Sequence, residues 1–172
     1  NIKMQGRSRK RKKRCGGGIL PFAMHNNKIY FLFSRERKIF NKHRDRGLYS
    51  DFGGAQEKNE SPRQVAIREG NEESNGILGD IKNLIKKSPK YIGDDKYRIY
   101  LVPITYDKTL PKKFSIEFKK IRKNHPEIIQ KNNGLYEKDK LRWIESNNLI
   151  KNINIFRPWY KRYVYQLIRN FD

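Results

Sequence analysis

The 172 residues contain a single cysteine, Cys15. That excludes an intramolecular disulfide and a zinc site built on several thiolates, and makes a reducing, intracellular and cytoplasmic setting the expectation. Long apolar runs are missing as well. The longest, residues 19–24 and 29–33, fall far short of the roughly 20 residues that span a bilayer, so no membrane partner is expected. The basic start does not lead into the apolar stretch of a secretory signal, because Gly16, Gly17 and Gly18 interrupt it. Acid is scarce: 18 Asp and Glu stand against 40 Lys and Arg, a net charge of +22. Hydrophobic residues make up only 35%, yet 12% aromatic residues argue against wholesale disorder. One folded domain of ordinary size with a very polar surface is expected.

A field of this sign calls for an anionic partner. RNA or DNA comes first, ahead of an anionic surface or a small polyphosphate, although an AT-rich genome also enriches Lys, Asn, Ile and Tyr whatever the function. Cations crowd the start of the chain, where Arg9, Lys10, Arg11, Lys12, Lys13 and Arg14 follow one another. Residues 1–18 read as a basic flexible arm closed by a glycine hinge at 16–18, and residues 19–172 as the domain. The arm fits three roles equally: an RNA-binding segment, a nuclear-import patch or a solvated connector.

Past the hinge, residues 19–25 and 28–35 read as strands joined by a tight turn at Asn26 and Asn27. Residues 35–51 are charged and aperiodic, a loop of functional length, and residues 49–53 make a short strand. Ser61 and Pro62 open the clearest helix, which should run to about Ser74 and stop at Asn75 and Gly76. A strand over 96–106, an amphipathic helix through Phe114, Phe118 and Ile121 limited by Pro126, and a strand over 141–144 follow. Pro158 starts a last helix whose Tyr160, Val164, Leu167, Ile168 and Phe171 form a core stripe. This mixed order indicates an α/β or α+β sandwich.

Against the basic background one segment is acidic. Glu69, Glu72 and Glu73 sit at i, i+3 and i+4 on the predicted helix, so they share a face, with Glu57 and Glu60 just upstream. Like charges at these spacings destabilise a helix by about 0.2–0.5 kcal/mol per pair. A solvated acidic face or salt bridges to neighbouring cations would relieve the repulsion, and so would a divalent ion. Magnesium takes oxygen ligands and is held by a few carboxylates plus substrate phosphates. Such an ion neutralises phosphate charge and activates a water, and a further Glu can take that water's proton.

Residues 54–76, GAQEKNESPRQVAIREGNEESNG, resemble the Nudix box, G-x5-E-x7-R-E-U-x-E-E-x-G-U with U a bulky aliphatic. Gly54, Glu60, Arg68, Glu69, Glu72 and Glu73 fall at the required spacings. The resemblance implies a Nudix-like α/β/α sandwich around a mixed sheet and a phosphoanhydride hydrolase that uses Mg2+ or Mn2+. It implies metal ligation by Glu69, Glu72 and Glu73 with the Gly53 carbonyl, catalytic roles for Glu72 and Glu73, and structural support from Arg68 and Glu60. Two positions depart from the pattern. Gly70 replaces an aliphatic, which weakens the helix by about 1 kcal/mol relative to Ala and removes a core contact, and Asn75 replaces Gly. The general base of this family can lie outside the box, and Glu137 is the candidate here, with a solvated surface Glu as the alternative.

The box leaves the substrate open, so charge has to choose it. RNA rewards an extended basic field more than a free nucleotide does. Lys and Arg interleaved with aromatics over 112–123 and 159–169 suit a phosphate backbone. Phe40, Tyr49, Tyr136 and Trp143 are candidate stackers for a cap base, or core. In composition and box the chain also resembles decapping Nudix enzymes of large cytoplasmic DNA viruses, which makes capped mRNA the expected partner. A small polyanion such as a dinucleoside polyphosphate or inositol pyrophosphate is the rival substrate. A catalytically silent RNA-binding protein on the same scaffold is the third reading.

Overall fold

The computed structural model describes residues 14–87, 90–131 and 133–171. The cations Arg9 to Lys13 of the expected arm lie outside the described residues.

Strand β1 (Gly16–His25) and strand β2 (Lys28–Glu36) form an antiparallel hairpin. Its turn residues Asn26 and Asn27 have φ of 50° and 60°, a conformation asparagine tolerates better than most residues. Two short strands follow, β3 (Tyr49–Ser50) and β4 (Phe52–Ala55), interrupted at Asp51 where one strand was expected. β3 pairs with the far end of β2 and β4 with the start of β1. The hairpin is thus forked, and β3 and β4 fill the fork. β6 (Tyr97–Pro103) lies parallel to β1, β5 (Tyr91–Gly93) caps that edge, and β7 (Lys138–Glu145) runs antiparallel along the outer side of β2.

Alternation along the strands splits the core between the two faces of the sheet. Ile19, Leu32 and Phe52 pack with Ala66, Ile81 and Phe114 on one face. Leu20, Phe31 and Phe33 pack with Tyr160, Val164 and Leu167 on the other. Helices α1 (Pro62–Glu73), α2 (Ile81–Lys87) and α3 (Leu110–Asn124) supply the first layer, and α5 (Lys161–Phe171) the second. The α/β/α sandwich is the architecture found. The stripe from Tyr160 to Phe171 is core, as expected.

The glycine run is strand, not hinge. Gly16 to Gly18 pair with β4 on one side and β6 on the other. A Cβ on Gly17 would collide with the Pro62 carbonyl and one on Gly18 with the Asp51 carboxyl, so these glycines let α1 and Asp51 approach β1 closely. Gly70 costs no core contact either. A Cβ there would sit 3.0 Å from Ile81 and 3.1 Å from Ile19, side chains that already fill the space.

Among the strands and α-helices of the described residues, three went unread: α2, β5 and the short α4 (Pro126–Gln130), which Pro126 starts while also ending α3. No helix among the described residues is long and apolar enough to cross a membrane.

Candidate active site

α1 delivers its carboxylates from a helix fixed at both ends. Ser61 Oγ accepts from the Gln64 N–H at 3.2 Å, and Gln64 Oε1 accepts from the Ser61 N–H at 2.8 Å, a complete capping box. Asn75 and Gly76, with φ of 51° and 76°, turn the chain away at the other end. Val65, Ala66, Gly70 and Glu73 face the sheet. Glu69 therefore lies along the helix flank beside Gly54 of β4, and Glu72 beside Gly134.

Glu69, Glu73 and Glu137 line one cleft of about 500 Å³, floored by Gly53 and Gly54 and rimmed by Arg37, Lys42 and His43. A side chain on Gly54 would collide with the Glu69 carboxylate, so bare backbone is needed there. Glu72 stands next to this cleft, held at 3.4 Å by Arg68 Nη1. Arg68 reaches the carboxylates along the flank of the helix but not Glu73 or Glu137. It donates to Glu60 Oε1 at 2.9 Å and Oε2 at 3.0 Å, to Glu69 Oε1 at 3.0 Å and to the Ala55 carbonyl at 3.1 Å. Arg68 and Glu60, expected as supports of the site, are thus joined to each other by hydrogen bonds. Glu57, largely exposed, adds a 3.6 Å ion pair to the same guanidinium.

Glu73 is buried, and its Oε2 accepts from the Gly53 N–H at 2.9 Å. β7 starts at Lys138, three residues earlier than expected, which puts Glu137 at the strand's edge and into the cleft. The Arg37 N–H anchors it there through the Glu137 carbonyl at 2.9 Å.

Burial is the main cause that pushes the Glu69 pKa up to about 7; Arg68 opposes it, while Glu72 and Glu137 add like-charge repulsion. Burial likewise raises Glu72, with Glu57 and Glu137 reinforcing it against Arg68. Glu73 is driven well above the usual range by burial; Lys138 at 3.9 Å opposes it, while Glu69, Glu36 and Glu137 add like-charge repulsion. Glu60 moves the other way, held low by its hydrogen bonds from Arg68.

Below the cleft lies a charged network that sequence reasoning missed. Lys138 is fully buried and donates to Glu36 Oε1 at 2.7 Å and Ser50 Oγ at 3.2 Å. Arg157 joins Glu36 at 3.0 Å and Asp45 at 3.1 Å. Asp51, buried in the fork, accepts from Tyr97 Oη at 3.0 Å, and burial pushes its pKa up to about 7 against the pull of Lys138. The one available signal was the register of β7 on β2, which sets Lys138 opposite Glu36.

Of the four candidate stackers, Tyr49 is buried in the core. Trp143 packs against the core, its Nε1–H donating to the Asp107 carbonyl at 2.9 Å. Phe40 is 54% exposed at the cleft. Tyr136 is half-buried in the loop before Glu137, its carbonyl accepting from Arg37 at 3.3 Å. Arg14 is exposed.

Oxygen donors with raised pKa values, gathered at one cleft, match a hard divalent cation in charge and chemistry. As arranged here, no three His, Cys, Asp or Glu among the described residues stand close enough to hold one ion. Arg68 bridges Glu69 and Glu72 instead, and Gly53 holds Glu73.

No protein-family profile and no curated protein matches the sequence. Solved structures do match, and they define the class of fold: it is that of the Nudix hydrolases. An Ap4A hydrolase of C. elegans, in a binary complex, superposes with a TM-score of 0.52 at 16% identity, covering 92% of this chain and 94% of its own. The NUDIX domain of Shewanella oneidensis NrtR, complexed with ADP ribose, gives 0.50 at 11% identity over 94% and 90%.

Proposed function

We propose that the chain is a metal-dependent Nudix pyrophosphatase that hydrolyses the phosphoanhydride of the mRNA 5′ cap. The observation that carries the reading is the meeting of Glu69, Glu73 and Glu137 in one cleft whose rim is cationic. Glu69, Glu72 and Glu73 would hold Mg2+ or Mn2+, with the Gly53 carbonyl as a further ligand. When bound, the ion neutralises phosphate charge and lowers the pKa of a water. The chain's own residues do the rest. Arg68 orients Glu69 and Glu72, Arg37 and Lys42 hold substrate phosphates at the rim, and Glu137 takes the proton of the attacking water.

The preference for capped RNA rests on the +22 charge. Contacts to many backbone phosphates release counterions and add affinity that a dinucleotide cannot obtain. Arg9, Lys10, Arg11, Lys12, Lys13 and Arg14 are the residues proposed to extend those contacts. The test compares catalytic efficiency on long capped RNA and on free cap dinucleotide at two salt concentrations, with uncapped RNA as competitor. Capped RNA should win at low salt, the margin should shrink as salt rises, and uncapped RNA should inhibit.

The likeness to an Ap4A hydrolase favours a second reading, hydrolysis of a small dinucleoside polyphosphate. A free dinucleotide that is the better substrate at both salts would establish it.

A further inference from the structure

A second cavity, of about 300 Å³, opens on the other side of the glycine floor of the acidic cleft. Gly53, Gly54, Ala55 and Arg157 line both. The two halves have opposite chemistry. The first presents Glu36, Glu69, Glu73 and Glu137. The second presents Arg14, Lys96 and Arg157, no carboxylate, and the indole of Trp159. Gly16 forms part of its wall.

Trp159 is the informative residue. It remains 39% exposed although its neighbour Tyr160 is fully buried. Tyr97 packs against its ring with centroids 5.1 Å apart, and Tyr160 and Tyr163 at 5.4 and 6.3 Å, all near edge-on. The ring is thereby fixed in place before any ligand arrives. The Arg157 guanidinium lies 5.2 Å from its centroid and is itself held by Glu36 and Asp45. A rigid, partly exposed indole beside three cations suits a base that stacks and a phosphate that pairs with Lys or Arg.

We infer that this cavity is a nucleotide subsite: Trp159 stacks a nucleobase of the substrate, and Lys96 and Arg14 hold the phosphate next to it, on the far side of the scissile anhydride from the carboxylates. The inference rests on the pyrophosphatase reading and adds to it the place where one nucleoside of the substrate is held. The Cys15 thiol turns to the α1 side of β1, 3.8 Å from the Glu60 carbonyl, so the reporter of this cavity is the indole of Trp159 itself.

The experiment measures quenching of indole fluorescence by ADP, in EDTA so that no turnover occurs. ADP should quench, and inorganic pyrophosphate, which lacks a base, should not. Lys96→Glu should raise the ADP concentration needed for half-quenching about tenfold. Lys96 is exposed, so this variant leaves the fold intact. Trp159→Leu should remove most of the quenching. Unchanged fluorescence with ADP, equal quenching by pyrophosphate, or full quenching in both variants would overturn the subsite. Because EDTA separates binding from chemistry, quenching by ADP in a chain that hydrolyses nothing would refute the pyrophosphatase and support the subsite. Hydrolysis without quenching would refute the subsite alone.

Discussion

Lys138 and Glu36 meet at 2.7 Å beneath the acidic cleft, and the lysine that makes this contact has no exposed surface. Burial works against the charge on Lys138, but Glu73 and Glu36 outweigh it and hold its pKa above the ordinary value. Removing the cation alone leaves Glu73 without its nearest cation and Glu36 with Arg157 only. Lys138→Met should therefore cost about 3–5 kcal/mol of stability, the size found when one partner of a buried pair is deleted. Urea unfolding of the two proteins checks it, and a loss below about 1 kcal/mol would mean that the pair is not buried as described.

Arg68 gathers Glu60, Glu69 and Glu72 around one guanidinium. Arg68→Gln should leave these carboxylates to repel one another, lowering the melting temperature without metal and making magnesium more stabilising than in the parent chain. The magnesium-induced shift in melting temperature is the readout, and an equal shift in both proteins would reduce Arg68 to a surface ion pair.

Glu137 is tied by its backbone to Arg37 and lines the cleft. If it takes the proton from the attacking water, Glu137→Gln should lower kcat about 100-fold or more with little change in KM. A surface glutamate would give the parent rate.

The raised carboxylates also set a pH dependence. With a pKa of about 7 against 4.5, Glu69 in the metal-free folded chain keeps a proton that the unfolded chain has released. The stabilisation linked to that proton is complete below about pH 4.5 and is lost as pH rises through about 7. Glu72, Glu73 and Asp51 shift in the same direction. Glu60 and Glu36 are shifted down, so their contributions are lost only below about pH 4.5. The melting temperature in EDTA should fall between pH 5 and 7.5, less so in Glu69→Gln. Added magnesium should raise it more at pH 8 than at pH 5, because protonated carboxylates bind metal poorly.

Much of this site was legible because its signals are local. Ser61, Pro62, Asn75 and Gly76 mark the ends of α1, and the spacing of Glu69, Glu72 and Glu73 places them together on it. The hairpin turn at Asn26 and Asn27 was readable for the same reason. Lys138, Asp45 and Arg157 were not, since a buried lysine looks like any other lysine until β7 is laid against β2. The glycines of β1 misled because flexibility and close packing call for the same residue. Only the approach of Pro62 and Asp51 tells the two apart.

The most direct test of the central claim is hydrolysis of RNA labelled in its cap phosphates, with magnesium, by the parent chain and by Glu73→Gln. Glutamine keeps the shape of Glu73 and can still accept from the Gly53 N–H, so the fold should persist with a melting temperature close to the parent's. The account predicts that the parent chain releases a capped nucleoside diphosphate and that the variant releases none above the rate without enzyme. A parent chain that cleaves no phosphoanhydride, or a variant within a few-fold of the parent, would contradict it.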